Sequence, residues 1–330
     1  MPSPIPVTRL LPTDFGLLVG VCSSPLTKHT GALTLRVPNR TVPTKLASRL
    51  WSSVIYWREL RDLEPIGSGG FGLVFKGSYL GETVAVKRVK CAKNKLASRQ
   101  SFWAELNAAH LRHPNLVRVI AASTQANGDD VMGESGDSVI GTIVMEFAGE
   151  MNLQQVIYSP AEPLRPESYA TDIVRALQHL HSQGIVHLDL KPANVILTRN
   201  GVCKLADFGC SVKVETQHAS VCRSEIGGTY THRAPELLKG HEVTPSVDVY
   251  SFGITLWQMF TREPPYEGDR QHIIYAVVAY ELRPDLNKDV FSPTGPGCVF
   301  KELIGRCWSA EPSNRPTAEQ LLTELCELSL

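Results

Sequence analysis

The chain has 330 residues, of which 43% are hydrophobic and 20% are charged, and its 33 Lys and Arg residues balance 33 Asp and Glu residues. This composition is typical of a globular protein and excludes disorder throughout the chain. A chain of roughly 300 residues can bury about three quarters of its unfolded surface, which allows one large core or two close lobes. Because the net charge is zero, neither nucleic acid nor an anionic membrane is an expected partner.

The cysteines and the apolar segments indicate a cytoplasmic protein. Eight cysteines are scattered without a CxxC pair or a histidine at zinc-finger spacing, which is typical of reduced thiols. No segment approaches the ~20 apolar residues that a membrane span needs. The first apolar run, 15–22, follows a single basic residue and makes a poor signal peptide.

Composition divides the chain into a tail and a folded part. Residues 1–55 are predicted to be a flexible, basic tail rich in Pro and Ser, since the first 50 residues hold six Lys and Arg but one acid. Residues 56–330 are predicted to fold, with 56–147 forming a smaller lobe and 148–330 a larger one.

Hydrophobic periodicity predicts an α+β fold with a small antiparallel sheet and a mainly helical second lobe. Residues 62–90 alternate as three antiparallel strands. A helix over Ser98–Leu111 follows, with Phe102, Glu105, Leu106 and Ala109 on one stripe. Two strands are expected within 115–147, around a polar loop at 127–137. Beyond residue 150 the main predicted helices span 167–182, 247–261, 271–281 and 315–327, and His181 is interpreted as helix-end structure.

A glycine-rich segment is the first candidate binding motif. Residues 67–74 fit G-x-G-x-x-G-x-V, and closely spaced glycines let backbone N–H groups approach phosphate oxygens. A dinucleotide-binding fold would begin a helix at these glycines, whereas the following residues alternate as a strand. A glycine-rich hairpin turn without a ligand is the other interpretation. The candidate phosphate-binding residues are Gly67, Ser68, Gly69, Gly70, Phe71 and Gly72.

A buried ion pair is predicted between Lys87 and Glu105. Lys87 ends the apolar strand segment Val-Ala-Val-Lys, and Glu105 lies on the core-facing stripe of the next helix. A buried ammonium and a buried carboxylate are rare unless they are paired. Independent snorkelling of both side chains to solvent is the alternative, and the nearby glycine loop, which would bring phosphate to Lys87, favours the pair.

A predicted hairpin supplies candidate metal ligands. Asn200-Gly201 lies between two short apolar runs and predicts a two-residue turn. In a hairpin closed by a two-residue turn at 200 and 201, the residue numbers of each pair add up to 401. Asn194 would therefore lie opposite Asp207, with both side chains on one face of the hairpin. Their oxygens suit Mg²⁺. Asp189 could accept a proton from an attacking hydroxyl, and Lys191 offers positive charge to a transferred phosphoryl group.

Together these motifs resemble the protein kinases over about residues 60–328. The ordered set is GSGGFGLV, VAVK, Glu105, HLDLKPAN, DFG, Ala234-Pro235-Glu236, Asp248 in DVYSFG and Arg315 in SNRPT. The resemblance implies a bilobal kinase fold with ATP and Mg²⁺ between the lobes, Asp189 as catalytic base, and Asn194 and Asp207 as metal ligands. It also implies that Val74, Ala85 and Ile196 enclose the adenine, that Met145 is the gatekeeper and that Glu146 to Ala148 form the hinge. Glu236 with Arg315, and Asp248, would be structural supports.

The sequence is more closely similar to the Mos family of serine/threonine kinases of vertebrate germ cells. The similar passages include SFWAELNAAHLRHPNLVRVIAAST and GGTYTHRAPELLKG. Lys191 and Thr229 also resemble the serine/threonine pattern, although His232 replaces an aromatic residue common at its position. The resemblance implies a monomeric catalytic domain that phosphorylates a MAP kinase kinase, upstream of MAP kinase in oocyte maturation and meiotic arrest.

Two features bear on activity and its control. Leu188 stands where most kinases have an arginine that pairs with a phosphate on the activation loop, and leucine cannot form that pair. This predicts activity without activation-loop phosphorylation at Ser220 or Ser224. A kinase-fold scaffold without catalysis is the alternative class, but scaffolds commonly lose the catalytic residues. Here Lys87, Asp189, Asn194 and Asp207 are all present.

Overall fold

The computed structural model describes residues 55, 59–69, 72–90, 95–124, 139–214 and 229–328. The predicted tail (except residue 55), residues 70 and 71 of the glycine segment and the predicted loop at 127–137 lie outside these described residues. The described residues form two compact units. The first holds the described residues up to His110 together with Val119–Glu146, and the second holds Leu111–Arg118 together with the described residues from Phe147 onwards.

The first unit is built on a five-stranded antiparallel sheet with the order β1-β2-β3-β5-β4. The three strands predicted from alternation within 62–90 and the two predicted within 115–147 are confirmed. Val84 and Val86 of the central strand face a core with Tyr79, Ile120 and Val144. The strands are β1 Leu60–Gly69, β2 Gly72–Tyr79, β3 Glu82–Lys90, β4 Val119–Ser123 and β5 Val139–Glu146.

One helix covers the opposite face of this sheet. The helix α1 spans Lys95–Asn107 and continues as a 3₁₀ turn at Ala108–His110, close to the predicted 98–111. Phe102 packs onto Gly141 of β5, where a Cβ would lie 2.6 Å from the phenyl ring. The absence of a side chain at Gly141 therefore lets the helix approach this face of the sheet. Lys87 of β3 points to the same face, because alternate residues of a strand point to opposite faces.

The second unit is mainly helical, as predicted. Its centre is a helix at Ser246–Thr261 that is buried along almost its whole length, as expected for a segment that is apolar all round. The four predicted long helices are confirmed within three residues at their starts, and three short helices were not predicted. The helices are α2 Leu153–Tyr158, α3 Pro166–Ser182, α4 Pro235–Leu238, α5 Ser246–Thr261, α6 Arg270–Ala279, α7 Lys301–Cys307 and α8 Ala318–Leu328.

Short strands connect the helices of the second unit: β6 Met151–Asn152, β7 Ile185–Val186, β8 Val195–Leu197, β9 Cys203–Leu205 and β10 Val212–Lys213. The segment Leu111–Arg118 lies within the range predicted for the first lobe, yet its contacts are here. The amide of Val117 donates to the carbonyl of Leu205 at 2.9 Å, and the amide of Leu205 donates to Asn115 at 2.8 Å. Among the described residues, no helix is both long and apolar enough to cross a membrane.

Candidate active site

The first unit contains the predicted ion pair. The Lys87 Nζ lies 3.3 Å from Glu105 Oε2, and the two side chains are only 8% and 1% exposed. Independent snorkelling is therefore excluded, because neither side chain reaches solvent. A buried ammonium needs such a partner, and the pair fixes Lys87 on the middle strand of the sheet.

Strand pairing gathers other candidate nucleotide-binding residues around Lys87. Val74 of β2 lies opposite Lys87, and Met145 of β5 lies opposite Ala85. Directly opposed residues point to the same face of a sheet. Val74, Ala85, Lys87 and Met145 thus share one face, whereas Glu146 pairs with Val84 and belongs to the other. Ala148 and Ile196 are in the second unit.

The glycine segment is a hairpin between β1 and β2, not the start of a helix. Gly67 pairs with Val74, and Gly69 pairs with Gly72. Gly72 has φ +152°, and a Cβ there would lie 1.9 Å from the carbonyl oxygen of Arg88. The sheet itself therefore requires glycine at this position. A Cβ added at Gly67 would meet no atom within 4 Å. Packing among the described residues therefore does not explain why position 67 is a glycine.

The predicted register of the second hairpin is wrong by one residue. Val195 pairs with Leu205, and the sum of paired positions is 400 instead of 401. The turn has three residues, because Thr198 pairs with Val202 through a 2.9 Å backbone hydrogen bond and Gly201 adopts φ +77°. Three-residue hairpins commonly end in such a left-handed residue. Asn194 consequently bonds Ala206 across the ladder, at 2.8 Å, and not Asp207.

Asp207 is placed by a local turn instead. Its backbone is left-handed, at φ 63° and ψ 77°, and its side chain accepts a 3.3 Å hydrogen bond from the amide of Gly209. Aspartate tolerates this conformation better than most residues. The strand ladder therefore does not aim Asp207 at Asn194, and the left-handed turn sets the direction of its carboxylate.

Asn194 and Asp207 fit a magnesium ion by the chemistry of their oxygens. The Asn194 side chain is buried and donates through Nδ2 to the Asp189 carbonyl at 2.8 Å and to Asp189 Oδ2 at 2.9 Å. This commits the amide nitrogen and leaves Oδ1 as the acceptor. An amide oxygen and a carboxylate are hard ligands of the kind that Mg²⁺ prefers.

Asp189 is the centre of a hydrogen-bond network. Its Oδ2 accepts from Lys191 Nζ at 2.8 Å, and its Oδ1 accepts from the amide of Thr229 at 2.9 Å. The Thr229 hydroxyl lies 3.2 Å from Oδ1 and 2.6 Å from Lys191 Nζ. A hydroxyl can thus stand within hydrogen-bond reach of the carboxylate, beside a fixed ammonium. Lys191 and Thr229, which the sequence named together as a serine/threonine pattern, are in direct contact.

A buried aspartate from α5 holds the backbone that leads into Asp189. Asp248 Oδ2 accepts from the His187 amide at 2.8 Å, and Oδ1 accepts from the Leu188 amide at 2.9 Å. His181 Nε2 contributes a third bond at 2.9 Å. Burial alone raises the pKa of the Asp248 carboxyl, but the bonds and charge from His181 and His187 outweigh it and hold the pKa below its usual value.

His181 was predicted to be only helix-end structure, and its role was missed. It lies in the last turn of that helix and is separated from Asp248 by 67 positions in the sequence, so no local pattern could connect the two. A polar histidine at the end of an amphipathic helix is nevertheless a signal that a partner is needed when that end is buried.

Leu188 lies in the same anchored segment. Its side chain is buried, and its backbone has φ +66°, which is unusual for a non-glycine residue. The bond from its amide to Asp248 compensates part of the cost of this conformation. The buried, apolar side chain has no group that could bind a phosphate.

Glu236 and Arg315 form the predicted structural support. Arg315 Nη1 lies 2.6 Å from Glu236 Oε1, and Nη2 lies 2.8 Å from Oε2, in a bidentate pair that is buried. Arg315 also donates to the carbonyls of Ser309 and Ser246. Satisfying all these donors is what makes a buried guanidinium tolerable.

His232 is buried beside the catalytic segment. Its Nε2 lies 2.6 Å from Gln258 Oε1, and Gln258 Nε2 donates to the Tyr158 hydroxyl at 2.9 Å. The Thr231 hydroxyl lies 3.0 Å from Nδ1. Burial lowers the pKa of the imidazole to about 4, and the bond with Gln258 opposes this only in part. Neutral His232 therefore replaces the usual aromatic residue as a hydrogen-bonded part of the core.

We expect His232 to weaken the protein in acid. The unfolded imidazole has a pKa near 6.5, so the unfolded chain binds more protons between that pH and about pH 4. The stabilisation is complete above pH 6.5 and is lost as the pH falls. Going from pH 7.5 to 4.5 should lower the free energy of unfolding by roughly 2–3 kcal/mol through this residue. Urea unfolding of the wild type and of His232→Gln measures the difference.

His232→Gln keeps a side chain that can bond Gln258 but cannot titrate near neutral pH. Its free energy of unfolding should fall less on acidification than that of the wild type. His241→Gln, at an exposed histidine, is the control and should behave as the wild type does. Equal pH dependence in His232→Gln and the wild type would contradict the prediction.

Comparison with known proteins agrees with this geometry. A model of the protein kinase domain matches residues 60–325. The Xenopus laevis serine/threonine-protein kinase mos is 50% identical over 98% of this chain and 92% of its own length. The proto-oncogene serine/threonine-protein kinase mos of Sus scrofa is 49% identical over 98% of both chains, and the serine/threonine-protein kinase mos of Gallus gallus is 47% identical over the same shares. The predicted bilobal fold class and enzyme class are confirmed, and protein substrates, ATP and a divalent metal go with them. The chain belongs to the protein kinase family and, within it, to the Mos serine/threonine kinases.

Proposed function

We propose that this chain is a cytoplasmic kinase that transfers the γ-phosphate of ATP to serine or threonine of a MAP kinase kinase, and so feeds a MAP kinase cascade in oocyte maturation and meiotic arrest. The observation that carries the transfer chemistry is the network of Asp189, Lys191 and Thr229. The substrate and the cell type rest on similarity to the Mos kinases. The kinase domain is proposed to be 56–330, with lobes 56–147 and 148–330.

The residues proposed to bind the nucleotide are those that the similarity to protein kinases implies. The backbone of Gly67, Ser68, Gly69, Gly70, Phe71 and Gly72 would bind the phosphates, with Gly70 and Phe71 outside the described residues. Lys87, held by Glu105 at 3.3 Å, places one positive charge for the phosphates. Val74 and Ala85, on the same sheet face as Lys87, would contact the adenine with Ile196. Met145 would be the gatekeeper, and Glu146 and Ala148 would be hinge residues.

The transfer step uses the second unit. The substrate hydroxyl donates its proton to Asp189 as its oxygen bonds to the γ-phosphorus, and the bond from that phosphorus to the bridging oxygen breaks, leaving ADP. Lys191, 2.8 Å from Asp189, stabilises negative charge on the transferred group. Asn194 and Asp207 would hold Mg²⁺, which when bound neutralises phosphate charge. Asn194 also donates to Asp189 and so orients the base.

Phosphate transfer to a purified, catalytically inactive MAP kinase kinase tests this function. The wild-type chain with ATP and Mg²⁺ should label the substrate on serine or threonine, and omission of the metal should stop labelling. Lys87→Met, which removes the ammonium that Glu105 holds, is the matched control and should give at most background labelling. Labelling equal to wild type by Lys87→Met, or labelling of tyrosine, would contradict the proposal.

Leu188 predicts that activity does not need a phosphorylated activation loop. Its buried apolar side chain cannot pair with a phosphate. We therefore expect Ser220→Ala/Ser224→Ala to keep kcat within about twofold of wild type. Both serines lie outside the described residues. Steady-state kinetics of the double variant and of phosphatase-treated wild type measure the effect. Loss of activity in either protein, with unchanged thermal unfolding, would show that control by loop phosphorylation exists.

A further inference from the structure

A chain of three hydrogen bonds in the second unit ends at the turn that follows Thr229. Gln258 Nε2 donates to the Tyr158 hydroxyl at 2.9 Å, and Gln258 Oε1 lies 2.6 Å from His232 Nε2. On the other side of the ring, the Thr231 hydroxyl lies 3.0 Å from His232 Nδ1. His232 and Gln258 are buried, whereas Tyr158 is 42% exposed. We name Tyr158, Gln258 and His232 the imidazole relay.

The imidazole relay has a direction, because its members differ in what they can donate. Gln258 Oε1 can only accept, so His232 carries its proton on Nε2. Burial lowers the pKa of His232 to about 4, and the neutral imidazole therefore has a single N–H group. Its Nδ1 is an acceptor, to which the Thr231 hydroxyl donates. The hydrogen of Thr231 is thus committed to His232, and the oxygen keeps lone pairs that can only accept.

Thr231 lies close to the place of an acceptor hydroxyl. The Thr229 hydroxyl lies 3.2 Å from Asp189 Oδ1 and 2.6 Å from Lys191 Nζ, so a hydroxyl there can contact both groups. Thr231 is partly exposed and stands two residues further on, in the 3₁₀ turn Tyr230–His232, where the rise is about 2 Å per residue. An extended substrate advances about 3.3 Å per residue. Thr231 is therefore within reach of the residues that flank the phosphorylated hydroxyl.

Cations contact the chain here at two neighbouring residues. Arg270 lies over the ring of Tyr230, with 5.4 Å between guanidinium carbon and ring centroid, and Lys191 Nζ lies 2.6 Å from the Thr229 hydroxyl. The carboxylate of Asp189 is already paired with Lys191 at 2.8 Å. A lysine or arginine of the substrate would therefore meet like charges. An amide or hydroxyl side chain can donate a hydrogen bond without this repulsion.

We propose that Thr231 is a specificity-determining residue, whose oxygen accepts a hydrogen bond from a neutral amide or hydroxyl side chain of the protein substrate, within about three residues of the phosphorylated one. His232 and Gln258 are positioning residues, because they hold the Thr231 hydroxyl as an acceptor from buried positions. This rests on the proposed function, since transfer at Asp189 is what brings the substrate to the turn. A phenyl ring in place of His232 could not hold Thr231 in this way.

The test uses catalytically inactive MAP kinase kinase, in which each of the three residues on either side of the mapped acceptor is replaced in turn by Asn or by Leu. The two side chains are similar in shape, and only Asn carries a donor. With the wild-type kinase, kcat/KM should be at least about fivefold higher for Asn than for Leu at one position. Thr231→Val should lower this ratio at least about threefold, and Thr231→Ser should keep it.

His232→Phe/Gln258→Met tests the imidazole relay with Thr231 left in place. It replaces both buried polar partners by apolar side chains, which leaves neither of them unpaired, and the partly exposed Tyr158 can bond water. The Asn to Leu ratio should fall as it does in Thr231→Val. Nitrogen NMR of the wild-type histidine side chains should show the proton of His232 on Nε2. Thr323→Val, at an exposed threonine of α8, is the matched control and should keep the wild-type ratio.

Three results would overturn the proposal while the substrate is still labelled. An Asn to Leu ratio near one at every position with the wild-type kinase would show that no neutral donor is selected. The wild-type ratio in Thr231→Val, or in the double variant, would show that Thr231 or the relay does not make the selection. A proton on Nδ1 of His232 would reverse the relay. No labelling of MAP kinase kinase by the wild type would contradict the proposed function and this inference with it.

Discussion

Asp189→Asn should lower kcat by about a thousandfold with the fold retained, since general base catalysis typically contributes 10²–10⁴. The amide occupies the same volume and can still accept from the Thr229 amide, now 2.9 Å from Oδ1. It cannot take the proton of the attacking hydroxyl, and it loses the charge that attracts Lys191 at 2.8 Å. Single-turnover phosphate transfer with saturating ATP measures the chemical step.

A second buried aspartate provides the control for this substitution. Asp172 of α3 is 8% exposed, and its Oδ2 accepts from the amide of Cys203 at 2.9 Å. Asp172→Asn should therefore change stability without changing the rate constant of phosphate transfer. The assignment of Asp189 as the base would be wrong if its variant kept transfer within about tenfold of wild type, or if Asp172→Asn lost as much.

Asp248→Asn should lower the free energy of unfolding by about 3–5 kcal/mol and should also reduce kcat. Both carboxylate oxygens accept backbone N–H groups, from His187 at 2.8 Å and Leu188 at 2.9 Å. An amide has only one oxygen, so its NH₂ group would point at one of these donors. The segment before Asp189 would then relax from its left-handed conformation at Leu188. Denaturant unfolding and kcat, measured on the same variant, report the two effects.

The dependence of the free energy of unfolding on pH, at acidic pH, gives a second measurement for Asp248. Its folded pKa is held below 3.8, so its contribution is present above about pH 4 and is lost as the pH falls further. Asp289→Asn, at an exposed aspartate, should change the free energy of unfolding by no more than about 0.5 kcal/mol. Asp248→Asn with stability and kcat close to those of wild type would mean that the carboxylate does not hold the catalytic segment.

The strands and the ion pair of the first unit were predictable because their patterns are local or follow from burial. Alternation along β2 and β3 placed Lys87 in an apolar strand, and the period of α1 placed Glu105 on a buried stripe. A lysine and a glutamate that are both forced inward have few alternatives to each other. The same reasoning failed at the turn after β8, because a three-residue turn and a two-residue turn are both compatible with Asn200-Gly201.

Contacts between distant segments were beyond sequence patterns. Asp248 comes from the buried helix α5 and reaches the backbone of residues about 60 positions earlier. The segment Leu111–Arg118 bonds β9 of the second unit, although it follows α1 directly in the chain. Neither arrangement produces a recognisable periodicity or motif spacing in the sequence, since each depends on which surfaces meet after the helices have packed.

The sequence by itself determined the chemical inventory of this kinase and its order along the chain: a glycine-rich turn, Lys87 with Glu105, the acid at 189, and the amide and acid at 194 and 207. These follow from residue type, burial and short-range period. Only the tertiary structure decided how the side chains are aimed. Register, left-handed turns at Leu188 and Asp207 and the reach of Asp248 depend on hydrogen bonds between distant backbone and side-chain groups, and a one-residue shift reverses the face on which a side chain stands.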